Sequence, residues 1–296
     1  MYHHIAPDPG RDVWTVSTAE FRRQIAALRD AGFQTIRPGD LARPPRWPRR
    51  LPRKPVVITF DDGLQSTLTE AEPVLREAGF QAIVYLITGL VADTPAERRH
   101  YGPYECLTWE EVRAMQARGT LAFGIHSHSH SGDAARQALE VAECRRLFKD
   151  KTGAETRHYG YPYGAAPDLL VQAVRDAGYL TAMVCEDRLF TPGPDADLFR
   201  IPRVSIYGGR HEFAVAPRPR AADGSVLADV QNLGLPLPVL GRLRHTPSGQ
   251  TWTFIPGERL GYAPQTWRWP GVPPPLDDAA LQVEIWEQNG LFRYHP

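Results

Sequence analysis

The segment Val56-Val57-Ile58-Thr59-Phe60 is an unbroken run of β-branched and aromatic side chains. A strand with one face in water alternates apolar and polar residues. A run without alternation has to be covered on both sides, as in a parallel sheet with helices packed against it. The surrounding sequence supplies those helices. Ser17 and Thr18 provide caps for a helix that puts Phe21, Ile25 and Leu28 on one face and stops at Gly32, before the short extended run Phe33 to Ile36. A helix over about 69–78 closes at Gly79 and leads into the strand Ala82-Ile83-Val84-Tyr85-Leu86-Ile87. Thr108-Trp109-Glu110-Glu111 has the form of a capping box; its helix ends at Gly119 and Leu121-Ala122-Phe123 follows as a strand. Helices near 134–149 and 167–177, with strands at His158 to Tyr161 and Thr181 to Val184, extend the alternation to about residue 185. That order predicts an α/β fold, open or closed into a barrel.

Beyond Arg203 the texture changes. Ala214 to Ser225 has the composition of a linker, and after it come short alternating runs such as Gln250 to Ile255 and Leu281 to Trp286, separated by Pro and Gly turns. We expect two domains, 1–215 carrying the α/β fold and 216–296 a small β-rich, sandwich-like appendage. Trp252, Trp267, Trp269 and Trp286 in that appendage are either its core or a sugar-stacking face.

With 296 residues, 42% of them hydrophobic, the chain can bury a core without disulfide staples. Its three cysteines have no CxxC spacing, which argues against a disulfide framework or a cysteine zinc knot. Thirty-four basic residues balance 34 acidic ones, so no global field draws the protein to nucleic acid. No apolar run reaches the ~20 residues that span a bilayer. Met1-Tyr2-His3-His4 lacks the pattern of a signal peptide. Two expectations follow: action in the cytoplasm on the chain as written, or export if the start is truncated.

Three elements carry chemistry. Thr59-Phe60-Asp61-Asp62-Gly63 sets two carboxylates at the carboxyl end of a buried strand, the edge where α/β folds bind ligands. A turn beginning at Gly63 would let both reach one site; an ordinary Asp-Asp-Gly turn is the plain alternative. Gly124-Ile125-His126-Ser127-His128-Ser129-His130 follows another strand, and a helical turn there would bring His126 and His130 to one face at metal-ligand spacing. A solvated polar loop is the alternative. Two His and one Asp would leave coordination positions open, as a catalytic metal requires; zinc suits that donor set best, with Co2+, Ni2+ or Mn2+ as alternatives. Tyr159-Gly160-Tyr161-Pro162-Tyr163-Gly164 is a fixed loop whose tyrosines offer flat faces for stacking on sugars, or simply a turn.

In order and spacing these elements resemble the polysaccharide deacetylases of the NodB-homology type, carbohydrate esterase family 4, whose motifs read T-F-D-D-G, H-S/T-x-x-H and a P-Y-G loop. The resemblance spans residues 1 to about 210. It implies a distorted (β/α) barrel and metal-dependent removal of acetyl groups, usually from N-acetylglucosamine units of a glycan. Asp61 then corresponds to the general base, Asp62, His126 and His130 to the metal ligands, and Tyr161, Pro162, Tyr163 and Gly164 to the substrate loop, with a backbone N–H near Tyr163 for the oxyanion. His128 has no role in the family and is expected to face solvent. Many members carry an arginine where this chain has Gly160, and no Leu-x-His motif stands near the end of the catalytic domain to supply the family's acid. Both departures match the poly-N-acetylglucosamine deacetylase subgroup, with permuted motif order and a Tyr-His pair on the first strand. Met1-Tyr2-His3-His4-Ile5 is similar to that opening, which makes His3 the candidate acid and His211 the next in line. Arg203, in Leu198 to Val204, is the candidate to orient Asp61, or else a structural ion pair. A glycan-binding homologue without activity and an O-acetyl sugar esterase are the rival readings, and the sequence leaves the oligomeric state open.

Overall fold

The computed structural model describes residues 1–10, 12–42, 51–193, 195–208, 213–232, 240–254, 265–273, 280–287 and 290–294. His211 lies outside them. Residues 1–8 and 16–205 make one unit, and residues 9–15 with 206–296 make the other. The division falls at 205/206, just past the change of sequence texture at Arg203 and ten residues before the expected boundary of 215/216.

The first unit is built on five parallel strands: β1 (Thr59–Phe60), β2 (Ala82–Leu86), β3 (Leu121–Ile125), β4 (His158–Gly160) and β5 (Thr181–Met183), in the order β5-β4-β3-β2-β1. Every residue of β2 is buried, as its apolar sequence requires. Extended residues prolong the sheet at both margins: Tyr2 bridges Phe60 and Ile201 bridges Met183, both parallel. The Met1 amino group donates to the Val204 carbonyl at 2.8 Å, so the extended margins approach each other, and the curved sheet is a half-barrel of the distorted (β/α) kind.

The run from Val56 to Phe60 is not one strand. Pro55–Val56 pairs with Gln34–Thr35, while Thr59–Phe60 pairs with β2, so the chain changes partners in the middle. Helices cover the sheet: α1 (Thr18–Asp30), α2 (Glu72–Ala78, entered through a π-turn at Thr67–Ala71), α3 (Trp109–Arg118), α4 (Ala134–Thr152) and α5 (Asp168–Asp176). The Ser17 side chain caps α1 by accepting from Glu20 N–H, and Thr108 with Glu111 forms the expected capping box of α3. Phe21 and Ile25 of α1 are buried, whereas Leu28 is half-exposed near the helix end. No helix among the described residues is long and apolar enough to cross a membrane.

The second unit has two antiparallel sheets. One holds β6 (Phe213–Arg218), β7 (Val226–Asn232) and β10 (Gln265–Trp269); the other runs in the order β9 (Thr251–Phe254), β8 (Leu240–His245), β11 (Leu281–Glu287) and β12 (Gly290–Tyr294). Residues from both sheets, among them Val230, Leu243, Trp267, Trp269 and Val283, share one buried core. The stretch read as a linker is therefore a hairpin arm: β6 pairs with β7 from Phe213 to Arg218. Pro and Ala hid its alternation, and the pairing partner decides it. Trp267 and Trp269 are core, so neither offers a stacking face; Trp252 packs against that core, and the Trp286 side chain lies outside the described residues.

Candidate active site

The strands deliver their first loop residues to one edge of the barrel. Asp61 and Asp62 follow β1, His126 follows β3 and Tyr161 follows β4. Adjacent strand residues point apart. Here the chain reverses at Asp62 itself (φ 69°) and continues through Gly63 (φ 69°), one residue earlier than the turn expected at Gly63, and both carboxylates face the site. A side chain at Gly63 would meet Leu86 Cδ2 at 2.8 Å, so the position needs glycine.

The histidine loop is not a helical turn. Ser127 (φ 62°) and His130 (φ 50°) both adopt the left-handed region, the Ser127 hydroxyl accepts from His130 N–H at 2.9 Å, and the Glu140 carboxylate of α4 accepts from His128 and Ser129 N–H at 3.1 Å each. The curled loop still brings His126 and His130 together. Asp62, Ser127, His130 and Tyr163 are the non-glycine residues with positive φ among those described, and all four border this site. Backbone strain is concentrated where the side chains must converge. His128 is exposed, as expected, with Nδ1 3.1 Å from Thr88 Oγ1.

His126 Nε2 and His130 Nε2 each lie 3.6 Å from Asp62 Oδ1. That is too long for a hydrogen bond. Donors bound at ~2.0–2.2 Å to one tetrahedral ion sit about 3.3–3.6 Å apart, so the spacing fits three ligands of a shared metal. Asp62 Oδ1 is buried and has no hydrogen-bond partner among the described residues, which a cation would supply. Burial, then the charge of Asp61, pushes the Asp62 carboxyl up to about 8. Burial lowers His126 and His130 to about 4, leaving neutral imidazoles with lone pairs to give. His126 Nδ1 lies 2.7 Å from the Gly160 carbonyl, which takes its N–H and turns Nε2 toward Asp62.

Asp61 sits beside this triad, its Oδ2 4.0 Å from His126 Nε2. Arg203 grips it with both guanidinium nitrogens, at 2.6 and 2.9 Å, and is itself held by the Val184 carbonyl at 3.2 Å and the Thr59 hydroxyl at 3.3 Å. Burial drives the Asp61 carboxyl upward, but the Arg203 charge and hydrogen bonds, with His126, outweigh it and hold the group well below the usual carboxylate range. The N-terminal segment lies alongside: Tyr2 N–H donates to Thr59 O at 2.8 Å and Asp61 N–H to Tyr2 O at 2.9 Å. His3 thereby comes within electrostatic range of Asp61, Arg203 and His130, and burial lowers it to about 4 against the opposing pull of Asp61.

Residues 49–182 match the family model for polysaccharide deacetylase. The chain carries a polysaccharide deacetylase domain. It is 28% identical over 229 residues to the poly-beta-1,6-N-acetyl-D-glucosamine N-deacetylase of Escherichia coli K12, a match covering 65% of this chain and 34% of that protein. The chain thus spans about a third of that relative's length. With the enzyme of the same name from Staphylococcus epidermidis it shares 25% identity over 216 residues, covering 68% of this chain and 71% of the relative. IcaB from Ammonifex degensii superposes with a TM-score of 0.58 at 25% identity, over 69% of this chain and 88% of that one.

Within the deacetylase domain the tyrosine loop divides unevenly. Tyr161 and Pro162 are buried, and the Tyr161 hydroxyl donates to Phe199 O at 3.0 Å, so neither presents a face to a sugar. The strand end draws Tyr161 into the core. Tyr163 is 66% exposed, with its hydroxyl 3.3 Å from His130 O and its ring 4.6 Å from the His130 ring. Gly164 (φ 69°) backs onto Cys185, whose Cβ would lie 2.4 Å from any side chain there. Sequence reasoning missed three supports: Gly160, which acts through its carbonyl, Glu140 on α4, and Tyr101, whose hydroxyl lies 3.0 Å from His130 Nδ1. Only the Tyr101-Gly102-Pro103-Tyr104 turn signal pointed to the last of these, and nothing in it names a target.

Proposed function

We propose that this chain is a metal-dependent hydrolase that removes acetyl groups from N-acetylglucosamine units of a glycan, with zinc as the metal. The observation that carries the reading is the buried Asp62, His126 and His130 cluster, whose donor atoms all lie within 4.8 Å of one another, set against the Asp61–Arg203 ion pair. A divalent ion held by that cluster would polarise an acetyl carbonyl and acidify a water molecule. Asp61, ionised and fixed by Arg203, accepts the proton that the attacking water loses. A backbone N–H near Tyr163 donates to the developing oxyanion, and the Tyr163 ring lies against the sugar. His3, neutral in the resting site, has to take up a proton in the substrate complex and then gives it to the departing amine, which is a poor leaving group until protonated. Relatives named for poly-beta-1,6-N-acetyl-D-glucosamine supply the first substrate to try. Acetate release from a panel of N-acetylated oligosaccharides, with and without chelator, tests the reading; no chelator-sensitive release from any of them would refute it. The second unit is proposed as an accessory domain.

A further inference from the structure

We infer that Tyr101 is a positioning residue that fixes His130 as the Nδ1–H tautomer and so keeps Nε2 open toward a metal. The inference rests on the metal reading above. His130 Nε2 faces Asp62 Oδ1 at 3.6 Å, so the proton of a neutral, metal-binding imidazole has to sit on Nδ1. The hydroxyl of Tyr101 stands 3.0 Å from that nitrogen, and the two rings meet edge to face at 5.1 Å. His126 is fixed in the same sense by a carbonyl, that of Gly160. A carbonyl only accepts and dictates the tautomer outright. A phenol also donates, so Tyr101 dictates it only if its own hydrogen is committed elsewhere and its oxygen is held in place; the hydroxyl hydrogen-bonds that of Tyr163, which itself donates to His130 O at 3.3 Å and so has lone pairs left to accept.

The structure holds it. Tyr101 belongs to a hairpin in which His100–Tyr101 pairs with Tyr104–Glu105. Gln65 N–H donates to Glu105 O and Leu107 N–H to Gly63 O, both at 2.8 Å, which ties the hairpin to the turn that carries Asp62. Arg98 clamps its base, binding Glu111 with two bonds of 2.7 and 2.9 Å and the Cys106 carbonyl at 2.7 Å. Loop 63–65 and the hairpin are thus hydrogen-bonded to each other at both ends of that loop, next to Asp62, which fixes where the Tyr101 hydroxyl stands relative to Asp62 as well as to His130. On the other side of the imidazole, the Tyr163 ring and hydroxyl hold His130 at its ring and its carbonyl.

The test uses Tyr101→Phe, which keeps the ring contact and removes the hydroxyl, with Tyr104→Phe as a control on the same hairpin. Zn2+ affinity of the full chain is measured by chelator competition. The expected result is a 10- to 100-fold weaker Zn2+ affinity for Tyr101→Phe, the usual effect of losing such a support, and a change of less than twofold for Tyr104→Phe. In the metal-free protein, nitrogen NMR of the imidazoles is expected to show His130 protonated at Nδ1 in the wild type and a mixture of tautomers in Tyr101→Phe. Wild-type Zn2+ affinity and an unchanged tautomer in Tyr101→Phe overturn the inference while leaving the metal reading intact. Failure of the wild type to bind Zn2+ overturns that reading, and the inference with it.

Discussion

Replacing Arg203 by methionine keeps most of the side chain's length and removes its charge. Arg203 and Asp61 are 4% and 2% exposed, so the variant strands a carboxylate in a place water does not reach. Taking one partner from such a buried pair costs about 3–5 kcal/mol of stability. The effect on Asp61 has a definite sign. Arg203 is the largest influence lowering its pKa, and burial, the larger influence overall, then acts against only His126 and His3. The carboxyl should rise into or above the ordinary carboxylate range. A depressed carboxylate stabilises the fold at pH above its unfolded value and loses that contribution as pH falls through its folded value; Arg203→Met forfeits it throughout. As the proposed proton acceptor, Asp61 would then be silenced at a higher pH, and the acid limb of kcat/KM should move up by about one unit or more, each unit being worth about 1.4 kcal/mol. Turnover should fall by roughly 10² or more, since a positioned base contributes ~10²–10⁴. The assays are acetate release against pH and chemical denaturation of Arg203→Met, Asp61→Asn and the double variant. An unshifted acid limb with turnover within tenfold of wild type, or strictly additive stability losses, would refute the reasoning.

Asp61→Asn should abolish acetate release while Zn2+ stays bound, because an amide keeps the shape but takes no proton; residual activity within tenfold of wild type removes Asp61 from the base role. His126→Ala and His130→Ala should each lose the metal by elemental analysis, and full stoichiometry in both would break the ligand assignment. His3→Ala should cost on the order of 10²–10⁴ in turnover on an N-acetyl sugar and much less on an activated aryl acetate, whose phenolate leaves without help; equal losses would mean that His3 merely holds its strand. Zn2+ affinity should climb about tenfold per pH unit up to about pH 8, where Asp62 sheds the proton that burial makes it keep, and level off above; chelator competition showing a flat response between pH 6 and 8 would contradict this.

The elements that local physics dictates were legible in advance. The capping residues Ser17 and Thr108, the αL glycines Gly79 and Gly119 and the apolar run of β2 fixed helix ends and a buried strand because each acts within a few residues of itself. The motifs were legible too: Asp61-Asp62-Gly63 and His126 to His130 sit immediately after strands, and strand ends on one edge of a parallel sheet must lie near one another.

What stayed hidden depends on who lies opposite whom. The sequence cannot tell that Pro55–Val56 and Thr59–Phe60 take different partners, or that Ala214 to Ser225 contains half a hairpin, because pairing energy belongs to two segments jointly. Nor can it tell a stacking tyrosine from a core one: Tyr161 and Tyr163 are two residues apart, and only the barrel wall behind Tyr161 makes the first inaccessible. The ion pair between Asp61 and Arg203 joins residues 142 apart, and the Tyr101 hydroxyl meets an imidazole 29 positions away. The sequence by itself therefore determined the α/β architecture and the identity of the chemical groups. Tertiary structure decided their protonation, orientation and access, because those follow from burial and from neighbours that only the folded sheet and its loops bring together.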